Sequence, residues 1–293
     1  MGLRIKTNIA SINSQRRLEK TTGSMQENMA KLSSGYRINK SADDAAGLAI
    51  SETMTAQIRS LGQAKRNAND GISMIQVAEG GMNEISNILV RMRELATQSA
   101  SDTIGNKERS YTNKEYNELV SEVDRIINTT EFNGLKLLGG EEGVGASELV
   151  LHIGAGDGTV ENTDTIKIDV NDIQISAEEN LGLEAGAMIG PEESDGDFDR
   201  QDAADKLTIL DDAISTVAEN RATLGSKQSR LSSSINNLGV QIENLSSSRS
   251  RIRDVDFASE TAEFSQNRIL AQAGTSVLAQ AGSTPELAIS LLR

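Results

Sequence analysis

"LTILDDAISTVAENRATLGSKQSRLSSSINNLGVQIENLSSSRSRI", residues 207–252, decides the fold. Leu207, Leu210, Ile214, Val217, Arg221, Leu224, Gln228, Leu231, Ile235, Leu238, Ile242, Leu245, Arg249 and Ile252 follow one another at alternating steps of three and four. All but Arg221, Gln228 and Arg249 are apolar. Such a rhythm holds one stripe on one side of an α-helix. No proline interrupts it. As a single helix the stretch would run about 69 Å at 1.5 Å per residue. A compact domain has no use for that length, so the stripe calls for partner helices of similar reach.

Residues 44–100 supply one. Met54, Leu61, Ala68, Ile75, Met82, Leu89 and Ala96 stand seven apart, and Ile58, Ile72, Ile85 and Met92 widen the stripe. Gly71, Gly80 and Gly81 lie inside it, each weakening a helix somewhat. A further helix is expected over 107–130, with Tyr116, Leu119, Val123, Ile126 and Thr130 on one side. The core seam is thus assigned to Met54, Leu61, Ile75, Met82 and Leu89 against Leu224, Leu231, Ile235, Leu238 and Ile242.

The ends repeat the theme. Leu18, Thr22, Met25, Met29 and Leu32 keep the rhythm, and Ile5, Ile9 and Ile12 extend it toward the start. At the other end Ile269, Ala273, Val277 and Ala281 mark one face, continued by Leu287 and Leu291. Neither stripe is strong enough to fold alone, and pairing the two is expected to bury both.

The middle differs in kind. "ELVLHIGAGDGTVENTDTIKIDV" reads as two strands, near 148–153 and 164–170, around a Gly/Asp/Asn-rich turn. Residues 176–200 are acidic and Gly-rich and read as loop. The expected fold is therefore mainly α: long antiparallel helices in a coiled-coil-like bundle, with a small β-hairpin insert and the N- and C-termini paired.

Composition narrows the function. Of 293 residues, 2% are aromatic, none is Trp or Cys, and one is His. A compact enzyme builds its pocket with more aromatic bulk. Without Cys there is no disulfide and no thiolate metal site. A Ser-His-Asp triad would have to use His152, which reads better as a half-exposed strand residue, and a two-histidine zinc motif is impossible. In "IGAGDGT" (153–159) the glycines miss the spacing of a phosphate loop, so a hairpin turn is expected. "DGDFDR" (195–200) starts like a calcium loop but has Arg200 where Gly is needed and Lys206 where a bidentate Glu is needed. No catalytic residue, cofactor or metal site is expected.

Charge points away from nucleic acid. Residues 139–206 hold 18 acidic and 3 basic side chains, a net of −15, against −14 for the whole chain. Phosphate binding needs a basic stripe. The locally basic residues 1–40 read as a solvated helix face. The first 17 residues lack an apolar core of signal-peptide length, and no stretch reads as a membrane span.

Four stretches carry a resemblance. "LSSGYRINKSADDAAGLAIS" (32–51), "RNANDGISMIQVAEGGMNEI" (66–85), "EFNGLKLL" (131–138) and "QAGTSVLAQA" (272–281) are similar, in order and position, to bacterial flagellin, the flagellar filament subunit. The resemblance spans about 1–140 and 201–293, and resembles a short form with little or nothing beyond the D1 layer.

What it implies is an inner D0 layer of terminal helices inside a D1 layer of longer ones. Residues 1–43 would form the N-terminal D0 helix, 44–140 the N-terminal D1 helices, and 141–200 a β-hairpin with an acidic loop at the outer part of D1. Residues 201–250 would be the C-terminal long D1 helix and 251–293 the C-terminal D0 helix. Ile5, Ile9, Ile12, Met25, Met29, Leu32, Ile269, Val277, Leu287, Leu291 and Leu292 would then serve subunit assembly.

The resemblance further implies a helical homopolymer for swimming, with export of the unfolded chain through the flagellar channel. An export chaperone would cover the C-terminal helix, which orders on assembly. Filament cap and hook–filament junction proteins would be neighbours. In many flagellins the segment that "VRMRELATQ" (90–98) resembles, with an acid on the next helix, is recognised by the innate immune receptor TLR5. The matching positions are Arg91, Leu95 and Glu115. A junction protein with the same terminal plan is the alternative.

Overall fold

A computed structural model describes residues 7–139, 148–156, 164–169, 175, 181–183, 189 and 200–290, with side chains in the last helix described through Ser283. Five helices are present among these residues: α1 Ile9–Ser34, α2 Ala45–Ser99, α3 Asn106–Thr129, α4 Arg200–Arg253 and α5 Phe257–Ser290. Two antiparallel hairpins accompany them: β1 Glu131–Phe132 with β2 Leu135–Lys136, and β3 Glu148–His152 with β4 Thr165–Asp169. The long α4 and the α3 and β3–β4 elements fall where the sequence placed them. The chain forms two compact units, Met1–Ile58 with Glu243–Arg293, and Arg59–Ile242.

The larger unit is built on the seam. Leu61, Ala68, Ile75, Met82, Ile85, Leu89 and Met92 of α2 are buried, as are Leu210, Val217, Leu224, Leu231 and Leu238 of α4. Ile235 and Ile242 are half-buried, and so is Met54, which belongs to the smaller unit. Helix α3 turns a slightly different side inward than expected: Tyr116, Val120, Val123 and Ile127 are buried, while Leu119 and Ile126 are half-buried. Both sets are apolar, so the sequence alone could not choose between two adjacent stripes.

The β3–β4 hairpin closes the core from the side. Pairing runs from Glu148↔Asp169 to His152↔Thr165. Ile153, Ile166 and Ile168 are buried, whereas Val150 is exposed, the alternation a half-covered strand requires. Leu151 presses on α2 at Gly71, where a Cβ would lie 2.6 Å from its Cδ1. Asn67 donates to the His152 carbonyl at 2.9 Å and Lys227 Nζ to the Lys167 carbonyl at 3.0 Å.

Residues 175–189 depart from a purely solvated loop at the described positions. Ile175, Leu181, Leu183 and Ile189 are buried in the same core. The Ile189 N–H donates to Asn113 Oδ1 at 3.1 Å, and the Ile175 N–H to the Leu138 carbonyl at 3.0 Å. The DGDFDR stretch lies outside the described residues up to Arg200.

In the smaller unit α1 and α5 pair, as expected: α1 uses most of the expected stripe, Leu18, Thr22, Met25 and Leu32, whereas α5 turns another face inward. The half-buried positions of α5 include Phe264, Asn267, Ala271, Gly274, Leu278 and Ala281, with Glu260 buried. Ile269 and Val277, expected to pair with α1, are 63% and 56% exposed. On α1 the covered side runs through Asn8, Ser11, Ser14, Leu18, Thr22, Met25, Asn28 and Leu32, leaving Ile9, Ile12 and Met29 exposed. The physical reason is spacing. Small residues let the helices approach, and Leu18 Cδ1 would stand 3.2 Å from a Cβ on Gly274. Ile5, Leu291 and Leu292 and the side chain of Leu287 lie outside the described residues.

Tyr116 generates a test. Its side chain is fully buried, its hydroxyl has no partner among the described residues, and burial pushes its pKa up to about 12 from 10.0. The unfolded chain ionises near pH 10 while the folded one does not. Stability is therefore intact below pH 10 and falls by about 1.4 kcal/mol per pH unit between 10 and 12. Denaturant titrations of Tyr116→Phe should show a flatter fall over that range and no loss of stability at pH 7, because an unmet buried hydroxyl is removed.

Candidate functional site

Two surfaces meet the requirements of a site, and neither is a cleft for chemistry. No cluster of three or more His, Asp or Glu able to hold a metal occurs among the described residues, and no described helix is long and apolar enough to cross a membrane. His152 Nε2 lies 3.1 Å from the Gly156 carbonyl across its own hairpin end, with no serine or carboxylate partner in a triad arrangement among the described residues.

The first surface is the outward side of the α1–α5 pair. Helix α1 begins at Asn8, whose Oδ1 accepts the Ser11 N–H at 3.1 Å. The same side chain donates through Nδ2 to the Ala281 carbonyl of α5 at 2.7 Å. One asparagine thus caps one helix and ties it to the other. Helix α1 ends at Gly35, whose φ of 74° suits a residue without Cβ. Helix α5 begins after Asp256, whose carboxylate accepts the Ala258 N–H at 3.0 Å.

The turn after α1 lies against the break between α4 and α5. Arg37 donates from its N–H to the Arg253 carbonyl at 2.7 Å and from Nη2 to the Ile252 carbonyl at 2.6 Å. The Val255 N–H donates to the Gly35 carbonyl at 3.0 Å. The Arg253 guanidinium stacks 4.6 Å from the Tyr36 ring and pairs with Glu52 at 2.7 Å. Ile38 is buried beneath. These bonds fix the base of α1 and α5 while their outer faces carry Ile9, Ile12, Met29, Ile269, Leu270 and Val277 into solvent. Met25 and Leu32 are half-buried in the pair itself.

The second surface joins α2 and α3. Arg91 pairs with Glu115 at 2.7 Å across the helices and with Glu94 at 2.9 Å along α2. These bonds raise the Arg91 pKa, the Glu115 bond most. Two residues on, and on another side of α2, Arg93 pairs with Asp211 of α4 at 2.6 Å and holds that carboxyl below its usual range. The partners are about half exposed, so screening makes the pairs a matter of shape and charge presentation more than of stability. Leu95 does not share this surface. It is 1% exposed and packs in the core beneath it.

The β1–β2 hairpin was missed. Asn133 and Gly134 take φ of 53° and 78°, the two left-handed positions of a tight hairpin turn. The Asn-Gly pair between "EF" and "LKLL" is the signal that could have found it. The Leu137 N–H then donates to the Thr130 carbonyl at 3.0 Å, carrying Leu137 and Leu138 into the core.

Comparison with known proteins agrees with this geometry. Residues 5–142 match the family described as bacterial flagellin N-terminal helical region, and 207–292 the bacterial flagellin C-terminal helical region. The chain is 43% identical to flagellin of Bacillus subtilis over 99% of its own length and 100% of the relative's. It is 41% identical to flagellin of Halalkalibacterium halodurans over 99% of both chains. In fold it is similar to a flagellar hook-associated protein of Vibrio parahaemolyticus, with a TM-score of 0.59 at 14% identity, covering 72% of this chain and 100% of that one.

Proposed function

The chain belongs to the bacterial flagellin family, and from that premise we propose that it polymerises, as the subunit of a flagellar filament, through the outward faces of α1 and α5. The observation that carries this reading is the exposure of Ile9, Ile12, Met29, Ile269, Leu270 and Val277 on helices whose inner faces are already paired. Apolar side chains of that size exposed together call for a partner. In a helical homopolymer each copy meets the same neighbours, so one face can be covered repeatedly by others of its kind. Residues 1–43 and 251–293 would form the D0 helices, and residues 44–140 and 201–250 the D1 helices.

The other parts of the reading follow the same chemistry. Export of the unfolded chain would leave the apolar face of α5 in need of an export chaperone before assembly. The filament cap and the hook–filament junction proteins would contact the same faces at the two ends of the polymer. The filament then serves swimming from outside the cell. A hook–filament junction protein is the alternative, since a hook-associated protein shares the fold. Full-length identity above 40% to two flagellins weighs against it.

Seeded polymerisation followed by electron microscopy tests the assignment. The full chain should grow long filaments, and a chain ending at Arg268 should not. Short rings or monomers from the full chain would move the assignment to the junction protein.

Recognition by TLR5 would use Arg91 and Glu115, the exposed members of the trio, with Leu95 supporting the helix from below. Arg91→Ala should leave the melting transition unchanged and abolish signalling by the monomer. Signalling at the wild-type level would remove Arg91 from that surface.

A further inference from the structure

Nothing in the sequence around the break between α4 and α5 obliges a helix to stop. Residues 240–273 contain neither glycine nor proline, and the break itself reads Asp254-Val255-Asp256. Asp256 caps the start of α5 through its 3.0 Å bond from the Ala258 N–H. A cap of that kind satisfies the new helix, but it leaves the carbonyls behind it open to an uninterrupted one.

An uninterrupted helix needs three backbone bonds across the break, each from an N–H to the carbonyl four residues earlier. They would run from Val255 to Arg251, from Asp256 to Ile252 and from Phe257 to Arg253. Each has one of its two groups taken by residues 35–37. The Val255 N–H donates to the Gly35 carbonyl at 3.0 Å. The Ile252 carbonyl accepts Arg37 Nη2 at 2.6 Å, and the Arg253 carbonyl accepts the Arg37 N–H at 2.7 Å. One residue earlier, the Asp254 N–H still donates to the Ser250 carbonyl at 2.9 Å, so the helical ladder runs up to the point where the exchange begins. Tyr36 bridges to Asp254 in antiparallel fashion, and its ring lies 4.6 Å from the Arg253 guanidinium.

We propose that residues 35–37 are a clasp that imposes the break, and that releasing the clasp joins α4 and α5 into one continuous helix. The two arrangements use the same backbone groups with different partners, which makes the junction a two-state element. The broken state is the one in which Asn8 reaches the Ala281 carbonyl and Leu18 packs at Gly274. Clasp and terminal helix pair therefore belong to one state, and a chain whose residues 35–37 are displaced carries α4 and α5 as a single rod. The inference concerns the chain by itself and does not depend on polymerisation.

Carbon-13 and amide NMR of the full chain test it. In the wild type the α-carbon shifts of Val255 and Asp256 should be non-helical. Arg37→Pro removes both the N–H and the guanidinium. It should move those shifts to helical values and slow exchange of the Asp256 and Phe257 amides by about tenfold or more. Phe257→Pro suits the first position of α5 but cannot continue α4, because its ring would meet the Arg253 carbonyl. Adding it to Arg37→Pro should return Asp256 to a non-helical shift. Signals of Tyr116, buried in the larger unit, report that each variant is folded. A folded Arg37→Pro chain with non-helical Val255 and Asp256 would overturn the clasp, and so would helical shifts there in the wild type. A helical Asp256 in the double variant would overturn the joining of the helices. If Arg37→Pro loses the Tyr116 signals, Arg37→Ala gives up the guanidinium bond alone, and no movement of its shifts toward helical values would overturn the proposal.

Discussion

An apolar stripe on a helix tens of ångströms long has to be covered along its whole length, because no single loop or hairpin can reach across it. The larger unit meets that constraint internally. The seam of α2 is matched by α4, α3 lies alongside, and the β3–β4 hairpin with Ile175, Leu181, Leu183 and Ile189 fills the remaining side. The smaller unit meets it only halfway. Two helices offer each other one face apiece, and those faces mix Leu18, Met25, Leu32, Phe264 and Leu278 with Asn8, Asn28 and Gly274.

That choice explains the division of labour. Close approach through Gly274 and the bond from Asn8 to Ala281 orient α1 against α5 while Ile9, Ile12, Met29, Ile269, Leu270 and Val277 stay exposed. The pair also carries imperfect contacts. Asn28 Nδ2 and Glu260 Oε1 are buried without a hydrogen-bond partner among the described residues, and Lys31 stands 3.9 Å from Glu260. Buried polar atoms left unmet weaken an interface. A thin pair of this kind gains its order from what covers the outer faces, and fits a subunit that is finished by its neighbours.

Much of this was legible in the sequence. Steps of three and four over 207–252 and the sevenfold series from Met54 to Ala96 named the long helices and most of the buried seam, because one regular period governs both. The terminal faces were legible only in part. Periodicity named Leu18, Thr22, Met25 and Leu32 on the covered side of α1, but on α5 it favoured Ile269 and Val277, whereas the covered side runs through Phe264, Ala271, Gly274 and Leu278. Leu95 shows the same limit: a motif places it beside Arg91, but a helix turns neighbours four apart only partly together, and here one faces solvent and the other the core. The buried apolar residues of 175–189 were hidden by the acidic composition around them.

Amide hydrogen exchange on α1 and α5, compared between the monomer and the seeded polymer, tests the central claim most directly. If neighbouring copies complete the smaller unit, amides in both helices should exchange rapidly in the monomer and become strongly protected in the polymer, while those of the α2–α4 seam in the larger unit stay protected in both. Equal protection of α1 and α5 in monomer and polymer would contradict the account, since the terminal pair would then be complete without its neighbours.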